Sequence, residues 1–215
     1  MMLPMSSIAI RHADEHLLVV EKPAGLLSVP GRSPELADCL IARVQVDHPD
    51  ALTVHRLDQV TSGLVVIARG AAMQRALSMQ FEQRQLAKGY EALVEGLVSG
   101  GDAADDSGEI DLPLIRDWPN RPRQKVDLEI GKPSLTRWRV LARDPVELRT
   151  RLALEPVTGR THQLRVHLAS IGHAIVGDAF YGAAPGERVC LHAVRLGFSH
   201  PATGAWHEWV SPAPF

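Results

Sequence analysis

The stretch His55-Arg56-Leu57-Asp58-Gln59-Val60-Thr61-Ser62-Gly63-Leu64-Val65-Val66-Ile67-Ala68 changes character halfway along. Its first half is polar and ends on Thr-Ser-Gly, a composition that turns the chain. Its second half is a compact apolar run rich in β-branched residues, too short for a helix, and predicts a buried strand over 62–68. A carboxylate just before such a strand can be held rigidly at a cleft mouth, and an ionised Asp can be a nucleophile or a base without a cofactor. Asp58 can equally cap a turn with Thr61 and Ser62.

Working outward, Leu17-Leu18-Val19-Val20 predicts another strand, stopped by Pro23 and Gly25, and the long loop over 25–34 holds two Gly and two Pro. Over 71–85, Met73, Ala76, Leu77 and Phe81 recur with helical spacing. Strands are predicted over 90–98, 148–154 and 192–198, and a helix over 162–171 ending at Gly172. Residues 99–111 carry five acids, no base and three Gly, which predicts a flexible, solvated acidic loop. Residues 113–125 read as an irregular stretch with three prolines. Many strands, few helices and no regular βαβ alternation argue for an α+β fold with a mixed, largely antiparallel sheet. There is no internal repeat.

At 215 residues, one large domain over 1–215 is expected, long enough to bury roughly 70–75% of its unfolded surface without disulfides or a structural metal. A hydrophobic content of 45% with a net charge of −2 excludes intrinsic disorder and a basic coat that binds any polyanion. Positive charge must therefore be gathered in patches if the partner is nucleic acid. The longest clean apolar stretch, Leu64–Ala68, falls far short of the ~20 residues a membrane-spanning helix needs. Cys39 and Cys190 are distant and in no Cys-x-x-Cys pair, so two free thiols in a reducing compartment, the cytoplasm, are expected. The N-terminus does not read as a signal peptide.

Two further polar groupings interrupt the apolar pattern. In Gly159-Arg160-Thr161-His162-Gln163-Leu164-Arg165-Val166-His167, the residues Thr161, His162 and Arg165 fall on one helical face, away from Leu164, Leu168 and Ile171. Arg165 can pair with a buried carboxylate and hold it ionised, or the helix can be a salt-bridged surface element. Arg116-Asp117-Trp118-Pro119-Asn120-Arg121-Pro122-Arg123-Gln124-Lys125 joins four cations to one aromatic, which suits phosphate contact and base stacking, with Trp118 as a core residue the competing reading. Ten histidines raise the question of a metal, but His162 and His167, five positions apart, do not converge as an i, i+4 pair does; no metal is expected.

Together these residues resemble the RluA family of pseudouridine synthases. His55-Arg56-Leu57-Asp58-x-x-Thr61-Ser62-Gly63 matches its catalytic motif in full. Lys22-Pro23-Ala24-Gly25, Lys88-x-Tyr90, the Gly159–His167 stretch, Gly177-Asp178-x-x-Tyr181-Gly182 and Leu191-His192-Ala193 follow in the family's order. Ser28-Val29-Pro30-Gly31-Arg32 and Asp117–Pro122 look like its short members, not the larger ones that often carry an N-terminal S4 RNA-binding domain; no such domain is expected here. The acidic insertion at 102–107 departs from the pattern.

The resemblance implies the pseudouridine synthase fold, a single catalytic domain whose bent sheet is flanked by helices and loops. It implies isomerisation of a uridine within RNA to pseudouridine, with no cofactor. Asp58 would be the catalytic carboxylate, Arg165 its partner, and Tyr90 the ring on the uracil face. Arg56 would fill the place of the flipped base. Arg32, Trp118, Arg121, Arg123, Lys125, Arg160 and His162 would contact RNA. The implied partners are an anticodon stem-loop of tRNA and a 23S rRNA hairpin, met by a monomer, without metal or membrane. The rival readings are a catalytically inactive RNA-binding module and a carboxylate-dependent glycoside hydrolase; the latter usually needs two carboxylates, and only Asp58 sits in a motif.

Overall fold

A computed structural model of the chain describes residues 8–99 and 106–215. In chain order the elements are β1 (Ala9–Ala13), β2 (Leu17–Lys22), α1 (Leu40–Gln45), β3 (Ala51–Thr53), β4 (Ser62–Arg69), α2 (Ala71–Glu82), β5 (Leu86–Glu95), β6 (Ser107–Asp111), β7 (Leu114–Arg116), β8 (Gln124–Val126), β9 (Leu135–Asp144), β10 (Arg149–Pro156), α3 (Gln163–Ser170), β11 (Leu191–Ser199) and β12 (Trp206–Val210). The architecture is α+β with largely antiparallel strands, as the pattern predicts. Two compact units are distinguished: one runs to Ala87 and takes up Ala193–Pro212, the other spans Lys88–His192 with Ala213–Phe215.

In the first unit β4 lies between β2 and β11. Its register with β2 runs from Leu17↔Ala68 to Lys22↔Gly63. Seven of the eight residues of β4 are buried, which is why its sequence is continuously apolar and not alternating. Leu17, Val19, Leu64, Val66 and Ala68 form one core face with Leu196 and Phe198, and Leu77 of α2 fills it. Met73 and Phe81 flank Leu77, so the helical spacing read from the sequence is the spacing that packs. Gly63 is held at φ +116°, and a Cβ there would stand 2.4 Å from the carbonyl oxygen of Ala193. Only glycine permits both that backbone angle and that approach.

In the second unit the strand order is β5-β10-β9-β6, with β7 and β8 as a separate two-stranded ribbon. The acidic loop expected over 99–111 is shorter than its charge suggests. Ser107–Asp111 is strand β6, paired along β9 with Ile110 buried. Two of the acids there meet cations: Glu109 takes Arg137 at 2.8 Å, and Asp106 takes both Nη atoms of Arg143. Residues 100–105 of that expectation lie outside the described residues. The 113–125 stretch is also more regular than expected. Leu114↔Val126 to Arg116↔Gln124 pair as a ribbon, and its turn is closed by Asp117 N–H to Arg123 O and Arg123 N–H to Asn120 O, both 3.0 Å.

Helix α3 differs from its expected setting. Thr161 and His162 precede it, His162 in a left-handed conformation at φ 54°. Gln163 to Leu168 are all buried, so no face of that stretch is a solvated salt-bridged surface. The polar groups inside are satisfied as a chain. Thr158 donates to Gln163 Oε1, Gln163 Nε2 donates to Thr136 Oγ1, Thr136 meets His167 Nδ1, and His167 Nε2 reaches Leu112 O. Cys39 and Cys190 are free and buried.

Candidate active site

Asp58 sits at the turn before β4, where the Thr61 N–H returns to its carbonyl at 3.1 Å. It is half-buried, between buried Leu57 and exposed Gln59, with Arg56 exposed two residues earlier. The segment is strapped from both sides. The Ser28 hydroxyl donates to Leu57 O and accepts from Leu57 N–H, at 2.8 and 3.1 Å. Gly25 N–H donates to Gln59 O at 2.8 Å, and Gln59 Nε2 donates back to Gly25 O at 3.1 Å. His55 is a packing residue here: its ring stacks on Phe81 with centroids 4.4 Å apart, and its Nε2 accepts the Val66 N–H.

Lys22 is the participant that sequence reasoning missed. It is 1% exposed, and its Nζ donates to the carbonyls of Pro23, Leu26 and Gln59 at 2.9, 2.7 and 3.1 Å. Burial pulls its ammonium down to about 7, while the charge of Asp58 pushes it back up. The Lys22 amine therefore sits within electrostatic reach of the carboxylate and joins the loop after β2 to the Asp58 turn. Arg32, in the same unit, is exposed.

The second unit holds the other candidates. Tyr90 lies on β5 opposite Leu154, half-buried, on the strand face shared with buried Ala92 and Val94. Arg165 projects from buried α3, where Asp178 takes its Nε and Nη2 at 2.6 and 2.8 Å. This bidentate pair is 4% and 1% exposed. Asp178 thus fixes the direction of the guanidinium. Sequence reasoning gave it no role, although Gly177-Asp178-x-x-Tyr181-Gly182 stood out as a motif. The Tyr181 ring lies 4.9 Å from the Arg165 guanidinium, and its hydroxyl is 2.6 Å from His162 Nδ1.

The basic ribbon presents a flat aromatic flanked by charge. Trp118 is 59% exposed, so it is not a core residue, and the guanidiniums of Arg116 and Arg121 lie 5.0 and 5.1 Å from its ring. Arg121 and Lys125 are exposed, and Arg123 lies over Phe180 at 5.5 Å. Arg160, two residues before His162, is exposed, its Nε reaching Pro133 O at 3.4 Å. Among the described residues no group of three or more His, Cys, Asp or Glu side chains is arranged to hold a metal ion.

Relatives place this arrangement. The chain is 46% identical over 210 residues to "Dual-specificity RNA pseudouridine synthase RluA" of Pasteurella multocida (strain Pm70), covering 96% of this chain and 93% of that one. It is 49% identical to the protein of the same name from Yersinia pestis, covering 96% and 99%. Among solved structures, human RNA Pseudouridylate Synthase Domain Containing 1 superposes with a TM-score of 0.81 at 29% identity, covering all of this chain and 87% of that one. Human RNA Pseudouridylate Synthase Domain Containing 4, at 23% identity and a TM-score of 0.75, shares the fold. The family model for RNA pseudouridylate synthases matches residues 16–170, from β2 through α3. Fold, motif order and near-full-length identity agree: this chain belongs to the RNA pseudouridylate synthase family, enzymes that isomerise uridine in RNA to pseudouridine.

Proposed function

We propose that this chain works as a single catalytic domain on two kinds of stem-loop, a tRNA anticodon arm and a 23S rRNA hairpin. The strapped seat of Asp58 carries this reading: a half-buried aspartate whose neighbours in the chain are fixed on both sides, with an exposed arginine two residues before it. The names of the relatives support the dual substrate.

The target uridine leaves its stack, at a cost of a few kcal/mol that is least in a loop, and Arg56 fills the vacated place. The N1–C1′ bond breaks, the uracil turns, C5 bonds to C1′, the C5 proton is lost and N1 gains one. The atoms of reactant and product are the same, so no redox partner is consumed. Asp58 supplies the carboxylate, Tyr90 packs on the uracil face, and Arg165 favours the charged carboxylate. Trp118, Arg121, Arg123, Lys125, Arg160, His162 and Arg32 meet the folded RNA, reading loop shape more than base edges. The protein acts as a monomer in the cytoplasm, consistent with its two buried free thiols.

Tritium release from C5-labelled uridine in transcripts of the two stem-loops tests this. The wild type releases tritium from both, and Asp58→Asn releases none while still binding RNA. Near-normal release by Asp58→Asn removes that carboxylate from the reaction, and release from neither wild-type reaction overturns the substrate assignment.

A further inference from the structure

The short turn after Gly177 makes contacts in two directions. Asp178 holds the Nε and Nη2 of Arg165. Phe180, 45% exposed, has the Arg123 guanidinium 5.5 Å and the Arg165 guanidinium 5.7 Å from its ring centroid. Tyr181 puts its ring 4.9 Å from Arg165 and its hydroxyl between two backbone-anchored groups. That hydroxyl accepts the Gln124 N–H at 2.9 Å and lies 2.6 Å from His162 Nδ1. Gln124 is the first residue of β8, directly after the Trp118 turn. His162 keeps a left-handed backbone immediately before α3, a conformation that persists in a non-glycine residue when its surroundings over-determine it.

We propose that Tyr181 is a positioning residue whose hydroxyl fastens the basic ribbon to the Arg165–Asp178 pair. Among the described residues the ribbon is a two-stranded element with three residue pairs, tied at its far end where Leu114 and Lys132 exchange backbone hydrogen bonds, so its turn end depends on contacts with the rest of the unit. The hydroxyl ties it to the 178–181 turn and to His162, the residue before α3, at once. The segment that meets RNA and the arginine of the reaction are thereby held at one setting. This rests on the reading that the ribbon contacts RNA and that Arg165 serves the reaction.

Tyr181→Phe removes the hydroxyl and leaves the ring beside Arg165. Without RNA, trypsin cleavage after Arg116, Arg123 and Lys125 accelerates about 5-fold in this variant, the order expected for losing the ribbon's bond from Gln124 N–H to that hydroxyl, while cleavage elsewhere is unchanged. With the anticodon stem-loop, KM rises about 5-fold and the saturating rate stays within about 2-fold. In an Arg121→Ala/Arg123→Ala background, Tyr181→Phe raises KM no further, because both changes act through the same segment. Unchanged ribbon cleavage, acceleration at all sites alike, or KM effects that simply add overturn the proposal. If Arg121→Ala/Arg123→Ala alone leaves KM unchanged, the RNA reading of the ribbon fails and this proposal falls with it. If that pair weakens binding and Tyr181→Phe does not, the reading stands and only the fastening role fails.

Discussion

Lys22 is buried with each ammonium hydrogen directed at a backbone carbonyl, and none of those carbonyls carries a formal charge. Its compensation is partial, so burial pulls its ammonium down to about 7 from its ordinary value near 10.5. As pH rises above about 7 the folded chain sheds this proton while the unfolded chain keeps it, so stability climbs toward pH 10. Lys22→Met has no such proton to shed. Urea midpoints measured from pH 7 to 10 should show the wild type gaining on the variant. The position was legible by parity: Leu18, Val20 and Lys22 share one face of β2. What the sequence withheld was the loop that brings Leu26 and Gln59 to the ammonium. Asp178 was hidden for the same reason, being 13 residues from Arg165 across a turn. Asp178→Asn takes the charge from one half of a buried bidentate pair, and should cost about 3–5 kcal/mol in denaturant unfolding together with a lower saturating rate.

Elements with a strong period were readable, and those made of few residues were not. β2, β4 and α2 follow from apolar runs or spacings that their packing bears out, and β11 is a strand as its alternation predicts, although it is buried at both ends without alternating. Strands β6, β7 and β8 hold three to five residues each, with acids, Arg, Gln or Lys among them, and local composition outweighs periodicity at that length. The interior of α3 reads as polar because its polar groups bond to one another instead of to water. His167 is the sensitive member, since burial holds its imidazole below the ordinary value near 6.5. On acidification the unfolded chain takes up that proton first, so stability is lost as pH falls below about 6.5. Between pH 7 and 5.5 the wild-type midpoint should drop more steeply than that of His167→Gln. At the mouth of β4, Gly63→Ala forces a Cβ against the Ala193 carbonyl in a left-handed backbone, and should destabilise the fold by about 2–4 kcal/mol in the same assay.

The whole chain carries a net charge of −2, so its attraction for a polyanion must be local. The ribbon is where cations gather beside an exposed indole. Four phosphate contacts with a single strand give a log–log salt slope near −3, and Arg121→Ala/Arg123→Ala should flatten it by more than about one unit in filter-binding titrations. The family was legible because its motifs are long, ordered and spread over nearly the whole length. The mutual placement of loops was not, because it depends on contacts between residues far apart in the chain.

Strand β6 is the last of its sheet among the described residues, and it carries Glu109 and Asp111 around a single buried isoleucine. An open strand of that kind invites a neighbour's backbone to zip onto it. Charged side chains along such an edge disfavour that pairing, because an added strand would have to cover them. The acidity that first suggests a floppy connector thus lies along an edge that would otherwise be bare to another chain.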